Sequence, residues 1–177
     1  MKKIVSLLFI GMMIVGGCGY STRTVSPTMD GIKTIYIAPF QNKVDYGTEG
    51  GNKNLYVPMM EVKVTSGTIN RFITDGFLKV AKPEEADIIL KGELINYRRD
   101  VLRYDDYDVA REYRITIIVA MTLLNAHTNE VVWTEPSFGG ESTYLVDGPS
   151  AKSESVAIDE AVKDLAQRII ERTVEDW

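Results

Sequence analysis

Apolar residues along this chain recur at two different spacings, and each spacing predicts a different kind of element. Ile32 to Phe40 (IKTIYIAPF) is dense in β-branched residues and closes at a proline, which predicts a first strand. Gln41 to Asn54 holds three glycines and no periodicity, which predicts a loop. From Tyr56 to Asp75 the apolar positions Met60, Val64, Ile69, Phe72 and Ile73 fall near helical spacing, with Pro58 tolerated in the first turn and Gly76 as the stop. Phe77 to Val80 reads as a short strand and Lys82 to Glu85 as a turn. Ala86 to Tyr97 and Tyr107 to Asn125 read as long strands joined by a hairpin over 100–106. In the second, Val109, Tyr113, Ile115, Ile117, Val119, Met121 and Leu123 share one face at period two. A turn over 126–130 leads to a strand at Val131 to Glu135 that resumes near 140–143, with Pro136 marking an edge or a bulge. Ser153 to Val174 is the clearest helix: Ile158, Ala161, Val162, Leu165, Ile169 and Ile170 form one stripe. This order predicts an α+β fold, a mostly antiparallel sheet of four to five strands with two helices on one face.

The first twenty residues, MKKIVSLLFIGMMIVGGCGY, break that pattern. Lys2 and Lys3 precede an uncharged apolar run from Ile4 to Val15. A bilayer span needs about 20 apolar residues, so the run fits a secretory signal better. It ends at Gly16-Gly17-Cys18, the single cysteine of the chain. Small residues before a cysteine are what a bacterial lipoprotein signal requires, since they let an extended backbone enter the peptidase. A plain signal with a chance cysteine, or a buried free thiol, is the alternative. The expected organisation is a signal peptide over 1–17, a lipidated tether over 18–30 starting at acylated Cys18, and one domain over 31–177. Gly19 stands where many bacteria place an inner-membrane retention Asp. The expected location is therefore the outer membrane, lipid-anchored and facing the periplasm. Lipid on Cys18 leaves no thiol for a disulfide, and no other cofactor is expected.

Charge and chemistry narrow the function. The formal net charge of −5 becomes −7 once Lys2 and Lys3 leave with the signal. An acidic body argues against non-specific nucleic-acid binding, which depends on many phosphate contacts. His127 is the sole histidine and sits in a turn, so no Ser/His/Asp or Cys/His arrangement can be assembled, and zinc lacks its usual ligands. Gly47 to Asn54 lacks the spacing of a phosphate loop, and Asp105, Asp106 and Asp108 lack that of a calcium loop. An enzyme is not expected. Arg98, Arg99, Arg103, Arg111 and Arg114 gather toward one end of the sheet. They either pair with neighbouring aspartates or form an anion-binding patch.

Several segments in order carry a family resemblance: Gly17-Cys18-Gly19-Tyr20, Gly31 to Asn42, Glu85 to Leu94, Glu112 to Ile115 and Thr128 to Trp133. Together they span the mature chain, and the chain resembles the LptE lipopolysaccharide-assembly lipoproteins. The resemblance implies a non-enzymatic plug for the LptD outer-membrane β-barrel that contacts lipopolysaccharide in transit. It points to basic side chains as the lipopolysaccharide contacts, here Arg98, Arg99, Arg103 and Lys152, the last in a matching Ala-Lys context. A further basic position of the family falls at Asp105-Asp106, where this chain is acidic. Tyr97, Tyr104 and Tyr107 are the expected contacts with the barrel, aromatic anchors being enriched in interfaces. The rivals are another interaction lipoprotein, such as a cell-wall synthase activator or a secretion-pore pilot, and a periplasmic hydrolase whose site the sequence does not display.

Overall fold

A computed structural model describes residues 31–45 and 57–174. The expected signal peptide, the tether and Cys18 lie outside the described residues. Among the described residues, six strands and two long helices follow in order: β1 (Thr34–Ile37), β2 (Gln41–Asn42), α1 (Met60–Asp75), β3 (Lys79–Val80), β4 (Ile88–Tyr104), β5 (Ala110–Asn125), β6 (Val131–Leu145) and α2 (Glu154–Val174), with a 3₁₀ turn at Pro83–Glu85. The strands form one sheet in the order β3-β1-β4-β5-β6, with β2 continuing along β4 beyond β1.

The fold class holds as α+β with two helices on the sheet; most of the pairing is antiparallel as expected, but the sheet is mixed and has six strands among the described residues. β1 pairs in parallel with both β3 and β4, and β2 pairs in parallel with β4. The antiparallel part is the meander β4-β5-β6. A helix between β1 and β3 returns the chain to its starting end, which is what a parallel pairing requires. Gln41 and Asn42 belong to a strand and not to a loop, because their backbone finds partners along β4 at Glu93 and Leu94.

The core lies between the helices and one sheet face. Ile35, Ile37, Leu90, Leu94, Ile117, Val119 and Leu123 meet Val64, Phe72, Leu165 and Ile169 in one cluster. Each such side chain contributes about 1.5–3 kcal/mol by burial. Two glycines set how closely the helices approach. A Cβ at Gly67 would strike the Val162 side chain, and one at Gly140 would strike the backbone of Leu165, so α1 meets α2 and α2 meets β6 at near-backbone contact. The buried hydroxyls of Thr68 and Thr173 are satisfied within their own helices, donating to the carbonyls of Val64 and Ile169. Gly76, at φ 73°, ends α1 and donates its N–H to Phe72 O. Ser153 Oγ accepts the Val156 N–H at the start of α2.

Asp87 joins two strands at the end of the sheet where the chain enters. Its Oδ2 accepts the N–H groups of Lys33 and Thr34 at 2.8 and 2.9 Å and the Thr34 hydroxyl at 2.8 Å. His127 Nε2 stands 3.6 Å from the other oxygen. The Lys33 N–H is the main cause holding the Asp87 carboxyl down, to about 2; burial works the other way, and the Thr34 groups add to the lowering.

Candidate functional surface

The long β4–β5 hairpin carries the arginines and tyrosines singled out above. Strand β4 runs to Tyr104, beyond the expected Tyr97, and irregularities between Leu94 and Asn96 and after Val101 keep it in register with β5. A bulge inserts one residue and swaps the faces that follow. This is why alternation fades after Leu94 although pairing does not, and why the tip falls over 105–109 rather than 100–106. Similarly, β6 passes through Pro136 without a break, because a register shift between Val119 and Met121 of β5 absorbs it.

Register divides the expected lipid-contact residues between two faces. Arg99 lies opposite Ile115, on the core face, whereas Arg98 lies opposite Thr116 and Arg103 opposite Glu112, on the open face. On the core side, Glu154, the first residue of α2, gathers a polar cluster. Tyr97 donates its hydroxyl to Glu154 Oε1 at 3.1 Å, and Arg99 Nη1 donates to Oε2. The Tyr144 hydroxyl stands 3.5 Å from that same Oε2. Tyr113 and Tyr144 stack with centroids 5.5 Å apart, and the Arg99 guanidinium lies 5.1 Å from the Tyr113 ring centre. Burial, then the Glu154 charge, pushes both the Tyr97 and Tyr144 hydroxyls above their ordinary pKa. At Arg99 burial opposes the cation, but the hydrogen bond and charge of Glu154 outweigh it and raise its pKa. The cluster is a clamp that fixes the start of α2 to the sheet. Tyr97 is 2 % exposed, so the expectation that its ring meets a barrel gives way to a core role.

The open face carries a looser arrangement. Arg98 Nε is 4.0 Å from Asp100, Arg103 Nε 3.7 Å from Glu112 and Arg114 Nε 3.6 Å from Glu141. These separations allow attraction but not hydrogen bonding, and the Nε atoms of Arg98 and Arg114 are buried without a hydrogen-bond partner. The arginine side chains nevertheless stay 40–60 % exposed. Asp100 opposes Arg114 directly in the ladder, so three cations and three carboxylates interleave over this half of the face. Lys152 is not part of this patch. Its Nζ is held by both oxygens of Glu160 at 2.6 and 2.8 Å, and its backbone N–H donates to Leu145 O.

The tip itself is built by Asp105. Its Oδ1 accepts the N–H groups of Tyr107 and Val109, and Arg111 bridges Asp105 to Asp147 at 2.6 Å on each side. The Val109 N–H is the first cause of the lowered Asp105 pKa; burial opposes it, with Tyr107 and Arg111 adding to the lowering. Asp108 adopts φ 59°, which short polar side chains tolerate. The held turn displays Tyr104 at 57 % and Tyr107 at 87 % exposure. At the other end of the open face, Ala38, Phe40, Lys91, Glu93, Ala120 and Thr134 line a shallow cleft of about 870 Å³. Among the described residues, no three His, Cys, Asp or Glu side chains are placed to hold a metal ion.

Sequence reasoning passed over Glu154, which accepts from Tyr97 and Arg99 more than fifty residues away, and Tyr144, whose hydroxyl meets the same carboxylate. The only local sign was a carboxylate just after the Ser153 cap.

The family model for lipopolysaccharide assembly, LptE, matches residues 32–173. The chain belongs to the LptE family. No curated protein matches the sequence of this LptE-family chain. Among solved structures, the hypothetical protein CT253 from Chlamydia trachomatis aligns with TM-score 0.50 and 11 % identity, over 80 % of this chain and 95 % of that one. An uncharacterized lipoprotein B from Nitrosomonas europaea aligns at 0.46 and 19 %, over 81 % and 83 %. The rare lipoprotein B from Shewanella oneidensis aligns at 0.43 and 14 %, over 78 % and 92 %. Among the described residues no helix is long and apolar enough to cross a membrane.

Proposed function

We propose that this chain is a non-enzymatic outer-membrane lipoprotein, anchored by acyl chains on Cys18 and facing the periplasm, that partners an LptD-type β-barrel in lipopolysaccharide assembly. The observation that carries the reading is the family match across 32–173. A plug in a barrel lumen meets a polar, water-filled wall, and the open sheet face with its interleaved charges suits such a wall. Lipopolysaccharide phosphates are to be met by Arg98 and Arg103, joined by Arg114, whose side chains are partly exposed and only loosely paired. Arg99 and Lys152 are already held by Glu154 and Glu160, so their part in lipid contact is secondary. Tyr104 and Tyr107 supply the exposed aromatic anchors for the barrel.

The test is an affinity pull-down of the tagged lipoprotein from detergent-solubilised outer membranes. A large β-barrel recovered in stoichiometric amount supports the reading, and Tyr107→Ser should reduce that recovery without changing the folded fraction. A cell-wall synthase or a secretion pore recovered in its place would overturn it.

A further inference from the structure

Helix α1 carries a second apolar face that the sheet does not use. Its core face is Met60, Val64, Thr68 and Phe72, all buried. Met59, Val62, Ser66, Ile69 and Ile73 recur three and four residues apart, so they fall in one line along another side of the helix. Met59 is 64 %, Val62 46 % and Ile73 63 % exposed, with Ile69 partly buried between them. The exposed positions of α2 hold Asp159, Lys163 and Arg168 instead. At its Ile73 end the line runs into a groove of about 450 Å³ between the last turn of α1 and β3, lined by Phe72, Ile73, Gly76, Leu78 and Val80.

The chain enters the domain beside this groove. The Lys79 N–H donates to Lys33 O, and Thr34 is in register with Lys79. Gly31 adopts φ 96°, with nothing within 4 Å of the place a Cβ would take. A residue free to adopt that conformation lets the chain reverse, so the residues before it can lie back along α1. Their sequence suits such a course. Val25, Pro27 and Met29 alternate with Ser26, Thr28 and Asp30, which in extended backbone puts the three apolar side chains on one side. Pro27 has the φ of extended backbone and no N–H to leave unpaired. The lengths agree as well. Val25 to Met29 covers about 13 Å at about 3.3 Å per residue, and Val62 to Ile73 about 16 Å at about 1.5 Å per residue.

Size decides between this segment and a second copy of the chain. So short a line falls well below the roughly 20–30 residues a side that hold separate molecules together. A segment whose Met29 lies two residues before Gly31 acts at about millimolar effective concentration and needs far less contact. We propose that residues 25–29 dock on the outer face of α1, with Met29 in the groove beside Ile73 and Val25 toward Val62. The inference goes beyond the functional reading and needs neither the barrel nor the lipid. Docking leaves residues 18–24 as the free part of the tether, a reach of at most about 25 Å in place of about 45 Å. It therefore sets how far the domain can stand from whatever holds Cys18.

The test uses the full chain purified in detergent, with pairs of introduced cysteines oxidised by glutathione disulfide. Such a bond closes only where the two Cα atoms come within about 7 Å. Met29→Cys with Ile73→Cys should close about tenfold or more faster than Met29→Cys with Glu84→Cys. Glu84 is exposed on the 3₁₀ turn whose Glu85 carbonyl accepts the Thr34 hydroxyl, so an undocked tether would reach it as readily. Val25→Cys with Val62→Cys should close at a rate comparable to the first pair, and Met29→Cys alone controls for bonds to Cys18. Similar rates at Ile73 and Glu84 would overturn the proposal. So would bonds between copies through Ile73→Cys that outpace the intramolecular one, since they would assign the face to a second copy. A variant outside the folded domain gives an independent readout: Met29→Ser should speed trypsin cleavage after Arg23 about threefold or more, and an unchanged rate would equally sink the docking.

Discussion

Asp87 shows how much one carboxylate can organise. It receives two backbone N–H groups and a hydroxyl from Lys33 and Thr34, at the start of β1 and more than fifty residues earlier. Its folded pKa of about 2 lies below the ordinary 3.8, so it contributes stability fully above that ordinary value. The contribution fades as pH falls through about 4 toward 2, because the unfolded chain takes up the proton first. Asp87→Asn should cost about 1–2 kcal/mol at neutral pH, and the gap to the parent should close by about pH 2, read by urea unfolding at a series of pH values. The arginines make the second case at this scale. Arg98→Ala with Arg103→Ala should weaken binding to lipopolysaccharide micelles while changing stability by less than about 1 kcal/mol, since exposed pairs contribute little. Arg99→Ala should do the reverse, costing about 1–2 kcal/mol by removing a charged partner of Glu154 while leaving micelle binding nearly unchanged. Equal losses of binding in both variants would show that the two faces do not divide the work.

At the scale of elements, the decisive contact is α2 against β6. Strand β6 is the edge of the sheet, and an exposed edge invites pairing with another chain. Helix α2 and its leading turn blunt it: Asp164 accepts the Glu141 N–H, Lys152 donates its N–H to Leu145 O, and Arg172 binds Glu135. These bonds need the helix close, and Gly140 permits that approach. Gly140→Val should force α2 away from β6 and lower stability by about 2–3 kcal/mol, with faster hydrogen exchange along β6, measured together by thermal unfolding and amide exchange. An unchanged melting temperature would mean that the helix seats itself without the glycine. Here the sequence was partly legible. The α2 stripe was plain, because Ile158, Leu165 and Ile169 keep one period throughout. The continuity of β6 was not, because Pro136 breaks the local pattern and only the shift against β5 restores the pairing.

For the whole molecule, the sheet acts as a long rigid spacer with distinct ends. The hairpin tip is held by Asp105 and by the Arg111 bridge to Asp147, so Tyr107 is displayed on a fixed support. A rigid exposed aromatic loses little entropy on binding, which suits a recognition point.

The sequence by itself determined the number of long elements, the α+β class, and the apolar faces of β5 and α2. These follow from periodicity and residue chemistry, which act over a few neighbours. Tertiary structure alone decided that β1 runs parallel to β4, that Arg99 rather than Arg98 faces the core, and that Tyr97 belongs to it. Each of these depends on a bulge or on a partner dozens of residues away. One inserted residue reverses every side chain beyond it, and a local pattern carries no record of the strand that it will pair with.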